Sequence, residues 1–124
     1  MTYRHLQAAR SVALASPGTG KRNSYKVGAI LFKGKNIYAA RHNELKTHPK
    51  LSKFSEFPFL HAESNCVISH GISHSHGLDL ICTRVLADGS LTMSKPCPVC
   101  ETFLDHAGIR KVFYTNWEGE VIQL

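Results

Sequence analysis

Apolar positions at Tyr3, Leu6, Ala9, Val12 and Ala13 recur at helical spacing and predict a helix over residues 2–15, stopped by Ser16, Pro17 and Gly18. The pattern then changes period. Residues 25–32 are rich in strand formers, Lys33 to Asn36 supply a turn, and residues 37–40 read as the returning strand of a hairpin. Residues 42–60 hold two prolines and no clear period, which predicts a long loop of the kind that usually carries function. A short helix is expected over 62–69, ended by Gly71, and a buried strand over 78–86. Ala87 to Ser90 mark a turn before an extended piece at 91–93. Residues 97–107 read as a helix, with Pro96 and Pro98 at its start and Gly108 in the position after its end. Strands are expected at 111–115 and, after a turn at 117–120, at 121–124.

The alternation of helices and strands places the chain in the α/β class, and 124 residues with 43% hydrophobic composition suit one domain over 1–124 with a real core. No apolar run approaches the length of a membrane span, and Arg4, His5 and Arg10 stand where a signal peptide would be apolar, so a cytoplasmic protein without a membrane partner is expected. Four cysteines in that setting point to reduced thiols, and hence to metal binding or redox chemistry before a disulfide framework. The net charge of +6 is uneven: residues 21–53 carry nine Lys or Arg against Glu44 alone. Such a stretch either raises the local concentration of a phosphate-bearing substrate or is a solvated surface.

Two short motifs open two of the predicted helices, His61-Ala62-Glu63 and Pro96-Cys97-Pro98-Val99-Cys100. One histidine and two cysteines make a three-ligand zinc site. A structural zinc is normally closed by a fourth protein ligand, whereas three ligands beside a carboxylate suit catalysis. Cys97 and Cys100 are three apart in a first helical turn, so both sulfurs share a face and the positive helix end favours their thiolates. Glu63, two residues beyond His61, can reach the same cavity without ligating the metal.

In this order the motifs resemble the cytidine and deoxycytidylate deaminase superfamily, whose signature is His-x-Glu followed by Pro-Cys-x-x-Cys. The resemblance implies a three-layer αβα fold with a mixed sheet of about five strands, and zinc on His61, Cys97 and Cys100. It implies that zinc lowers the pKa of a bound water, that hydroxide attacks C4 of cytosine or C6 of adenine, and that Glu63 shuttles the protons. It further implies that the Ala62 amide holds a base carbonyl and that a carbonyl at Lys95 or Pro96 accepts from the amino group. Asn43 matches a position that contacts the sugar. Dimers or tetramers are common in such a family, so a homo-oligomer is expected.

A glutaredoxin-like redox pair at Cys97 and Cys100 is disfavoured, because such a pair follows the first strand of its unit while only 24 residues follow Cys100. A zinc ribbon would need a second close pair, and Cys66 and Cys82 are 16 apart; both read as small core residues. Gly18-Thr19-Gly20-Lys21 fails as a phosphate loop, since Ala15 and Arg22 stand where glycine and a hydroxyl residue are required. His70, His74 and His76 read as exposed polar residues, and one of Phe54, Phe57 and Phe59 is a candidate for stacking on a base. For substrate, Asn43-Glu44 followed by Leu45 meets the nucleoside enzymes' Asn-x-Glu-Asn pattern only in part. Arg41, His42, Lys46, His48, Lys50 and Lys53 could supply a cationic pocket. A free cytosine nucleotide, dCMP going to dUMP, is therefore the expected small-molecule substrate, with cytidine or deoxycytidine next. The alternative is a nucleic acid partner, in a deaminase of transfer RNA or single strands or in a binding relative.

Overall fold

The computed structural model describes residues 1–18, 25–44 and 61–124. Helix α1, Tyr3–Leu14, follows Thr2, whose backbone N–H donates to Nδ1 of His5 at 3.1 Å. Strands β1, Lys26–Lys33, and β2, Asn36–His42, form the antiparallel hairpin. Helix α2, Ala62–His70, is followed by a single 3-10 turn, Ile72–His74, that the apolar pattern was too short to reveal. Strand β3, Asp79–Val85, then leads to β4, Leu91–Thr92, helix α3, Pro98–His106, and the hairpin of β5, Lys111–Thr115, with β6, Val121–Gln123.

These strands make one mixed sheet in the order β2-β1-β3-β5-β6, with β4 pairing on β3 beyond β5. Among the described residues the sheet has six strands, in keeping with the expected mixed sheet of about five, and the two-residue β4 is the piece expected to be extended at 91–93. All pairs are antiparallel except β3 with β5, whose connection carries α3. That parallel pair needs a crossover, and the crossover puts α3 on the face it shares with α2.

Alternation along the strands sorts the side chains into two apolar layers. Val27, Ala29 and Leu31 of β1, with Leu80 and Cys82 of β3, pack against Ala62, Cys66 and Val67 of α2 and Phe103 and Leu104 of α3. Ile30, Phe32 and Ile81 point the other way, against Ala9, Leu6 and Val12 of α1. This is the three-layer arrangement, and each fully buried aliphatic or aromatic side chain contributes on the order of 1.5–3 kcal/mol. Gly28 lets α1 lie close, since a Cβ there would run into the backbone of Ala9 and Ala13. Gly108, at φ +77° after the α3 cap residue Ala107, ends that helix as the sequence suggested.

Cys66 and Cys82 are buried core residues, their thiols donating to the carbonyls of Ala29 and Ser94, both at 3.1 Å. His74 and His76 are exposed and His70 is half-buried, with the His70 ring edge-on to Tyr38. Among the described residues no helix is long and apolar enough to cross a membrane. The expectations placed on Lys46, His48, Lys50 and Lys53, and on Phe54, Phe57 and Phe59, lie outside the described residues.

Candidate metal centre

His61 and Cys97 are the cap residues of α2 and α3: α2 begins at Ala62 as expected, and α3 begins at Pro98, one position after the expected start at Cys97. Neither helix is capped by an oxygen-bearing side chain at its cap position, and within the first turns the Glu63 carboxyl accepts from its own N–H and the Cys97 sulfur from that of Cys100. The two caps are held locally. Asn65 and Glu101 donate their N–H groups to the carbonyls of His61 and Cys97 at 2.8 and 2.9 Å, and Pro98 preorganises the first turn of α3.

The ligand-capable atoms of His61, Cys97 and Cys100 all lie within 4.8 Å of one another. Nδ1 of His61 is 3.0 Å from Sγ of Cys100 and 3.7 Å from Sγ of Cys97. Sequence reasoning named these three residues, and the fold brings them together from two separate helix starts. One imidazole nitrogen and two sulfurs suit a borderline-soft cation, so the donor set fits zinc. Hydrogen bonding from Cys100, joined by that from His61, lowers the Cys97 thiol to about 4. Sharing its proton with Cys97 inside a buried site holds Cys100 well above the usual thiol range. One thiolate is thus ready for a cation, and the second loses its proton on binding one.

Glu63 sits in the first turn of α2, 4% exposed. Burial pushes its carboxyl above the ordinary carboxylate range, against the opposing pull of His61. Ala62 is fully buried beside it, Pro96 is buried and Lys95 is exposed at the approach to Cys97.

Supporting residues, which local pattern did not disclose, fix both arms of the site. Asn65 Nδ2 donates to the His42 carbonyl at 3.0 Å and to Glu44 Oε1 at 3.3 Å, tying α2 to the end of β2. Asn43 is 2% exposed. Its Oδ1 accepts from Ser16 Oγ at 2.6 Å and from the Val27 N–H at 3.1 Å, and its Nδ2 donates to the Tyr25 carbonyl at 2.7 Å. The residue expected to meet a sugar is an anchor between the end of α1 and the start of β1. On the other arm, Ser94 Oγ donates to the Cys82 carbonyl at 2.9 Å and accepts from the Thr115 N–H at 2.8 Å, while Thr115 Oγ1 donates to the Thr92 carbonyl at 2.6 Å. This buried latch holds the segment just before Lys95, Pro96 and Cys97. Ser94→Ala strands a buried N–H and a buried carbonyl, and is expected to lower stability by about 1–3 kcal/mol in denaturant melts while weakening zinc retention against a chelator.

A sheet with the starts of two helices converging on an imidazole, two thiols and a buried carboxylate defines a hydrolytic metal centre. The chain matches the model of the cytidine and deoxycytidylate deaminase zinc-binding region over residues 3–116, and it belongs to that family. Membership brings with it zinc as the metal, on His61, Cys97 and Cys100, and the hydrolytic deamination of nucleotides or nucleosides as the class of chemistry. Among solved structures it is similar to the dCMP deaminase of the cyanophage S-TIM5 in complex with dCMP and dUMP. There the identity is 26% and the TM-score 0.64, covering 94% of this chain and 84% of that one. The apo form of that phage enzyme matches at 28% identity and TM-score 0.61, over 94% and 86% of the two chains. Cytidine deaminase from Burkholderia pseudomallei shares the fold, with TM-score 0.62 at 16% identity over 100% of this chain and 92% of that one. By sequence, no curated protein matches at a significant level.

Proposed function

We propose that this protein deaminates the cytosine base of a free deoxycytidine monophosphate, converting dCMP and water to dUMP and ammonia. The observation that carries the reading is the likeness to a phage dCMP deaminase captured with dCMP and dUMP, spanning 94% of this chain. The basic character of residues 21–53 supports a phosphate-bearing substrate over a neutral nucleoside.

Zinc held by His61, Cys97 and Cys100 supplies the acidity that makes water nucleophilic near neutral pH. Glu63 takes the proton of the attacking water and passes it to the ring nitrogen beside C4. As the C4–N bond breaks, the same carboxyl assists departure of ammonia. Ala62, in the first turn of α2, donates its backbone N–H to the base carbonyl, where the positive end of the helix favours an acceptor. The carbonyl of Lys95 or Pro96 accepts from the amino group, and the latch at Ser94 fixes where that carbonyl stands. Asn43 meets the sugar beside the bonds it makes to Ser16, Val27 and Tyr25.

Zinc-loaded protein incubated separately with cytidine, deoxycytidine, CMP, dCMP and short cytosine oligonucleotides tests the reading by conversion to uracil. The expected result is the highest kcat/KM on dCMP. Turnover confined to oligonucleotides, or absent from every free nucleotide and nucleoside, would overturn it.

A further inference from the structure

Strand register places two further side chains on the catalytic face of the sheet. On β1 the face that meets α2 and α3 carries Val27, Ala29 and Leu31, and on β3 it carries Leu80 and Cys82. The same alternation assigns Tyr25, just before β1, and Arg84 to that face, whereas Thr83 and Val85 point toward α1. Arg84 stands directly across from Val27, so Tyr25 and Arg84 share one end of the sheet. It is the end from which β3 leaves toward β4 and the Cys97 segment.

The two side chains touch. The guanidinium carbon of Arg84 lies 4.6 Å from the centre of the Tyr25 ring. Tyr25 is within the electrostatic reach of the metal centre: burial raises its phenol first, and the charges of Glu63 and Cys97 add to the rise. Among the described residues, the Arg84 Nε is buried without a hydrogen-bond partner, and no carboxylate forms an ion pair with the guanidinium. A buried guanidinium N–H left unpaired is costly, more so than a neutral group. Arg110 offers a contrast within the same chain, since its Nε and Nη2 donate to the two oxygens of Asp79 at 2.9 and 2.7 Å. A planar fork with an unused N–H, braced on a ring and carried on the face of the sheet that meets α2 and α3, suits a bidentate oxyanion.

We propose that Arg84, braced on Tyr25, is the residue that reads the phosphate of the substrate. The assignment rests on the monophosphate reading above and deepens it. It adds a cation from the sheet itself to those expected between residues 41 and 53. Of these, Arg41 lies on the edge strand β2 and donates to its own neighbour, the Ala40 carbonyl, at 2.9 Å.

The test compares wild type, Arg84→Gln and Arg84→Lys, each zinc-loaded, on dCMP and on deoxycytidine, with zinc content and melting temperature measured alongside. In Arg84→Gln the preference for dCMP over deoxycytidine, as a ratio of kcat/KM, is expected to fall about 10- to 100-fold, chiefly through KM for dCMP. Arg84→Lys, a point charge without the fork, is expected to recover part of that ratio. A wild type with no preference for dCMP sinks the monophosphate reading and this assignment together. A wild type that prefers dCMP, with Arg84→Gln keeping the same ratio, sinks the Arg84 assignment alone. Equal losses on both substrates, with lowered melting temperature or zinc content and no change in ratio, make Arg84 a structural brace and also overturn it.

Discussion

Glu63→Gln is expected to keep one zinc per chain and to lose about 10²- to 10⁴-fold in kcat, the range that a positioned proton carrier contributes. The reason is a division of labour visible in the site: the three clustered donors are His61, Cys97 and Cys100, and Glu63 is outside that set. Glutamine keeps the shape but neither takes up nor gives up a proton near neutral pH. Because the native carboxyl is 4% exposed and burial disfavours its charge, the neutral variant is expected to melt no lower than wild type. Metal analysis with steady-state kinetics checks the pair of outcomes. Full activity would move the proton role elsewhere, and loss of zinc would make Glu63 a ligand.

Cys97→Ser has the opposite signature. A serine hydroxyl does not ionise as the Cys97 thiol does, so zinc affinity is expected to fall by more than about a hundredfold, beyond what the loss of a merely supporting contact costs. Stability linked to metal falls with it, since a ligand that binds only the folded state stabilises in proportion to its occupancy. At micromolar zinc the variant is expected to melt near the temperature of chelator-treated wild type. If chelation leaves wild type unmoved, the metal centre is not coupled to folding.

The periodic parts of the chain were legible because local pattern alone determines them. Tyr3, Leu6 and Ala9 announced α1, and the start of β1, the boundary at Gly71 and the glycine stop after α3 followed from residues a few positions apart. The metal set was legible for a different reason: His-x-Glu and Cys-x-x-Cys carry chemistry that few other roles demand. What stayed hidden depends on distant partners. Residues 91–93 read as extended, but the partner that makes Leu91 and Thr92 a strand, the edge of β3 at Arg84 and Val85, lies outside any local pattern. Ser94 and Thr115 are unremarkable residues until a reach of 21 positions joins them. Asn43 was read as a substrate contact, and its anchoring role depends on Ser16 and Val27, which no local period connects to it. Arg84 lay within reach of a period-two argument, since Leu80 and Cys82 mark its face, but nothing in the sequence shows that Tyr25 lies beside it.

The latch of Ser94 on Cys82 and Thr115 bears on how the site comes into being. Cys97 and Cys100 are brought together by the first turn of α3 alone, and that turn is fixed within the contiguous stretch 79–115 of β3, β4, α3 and β5 by short loops and the latch. His61 comes from outside that stretch, on a helix tied to the far hairpin by Asn65. The thiols are therefore the local half of the centre and the imidazole its long-range half. A cation shared by all three would staple the stretch 79–115 to α2 and the first hairpin, so that neither part could open without giving up a ligand.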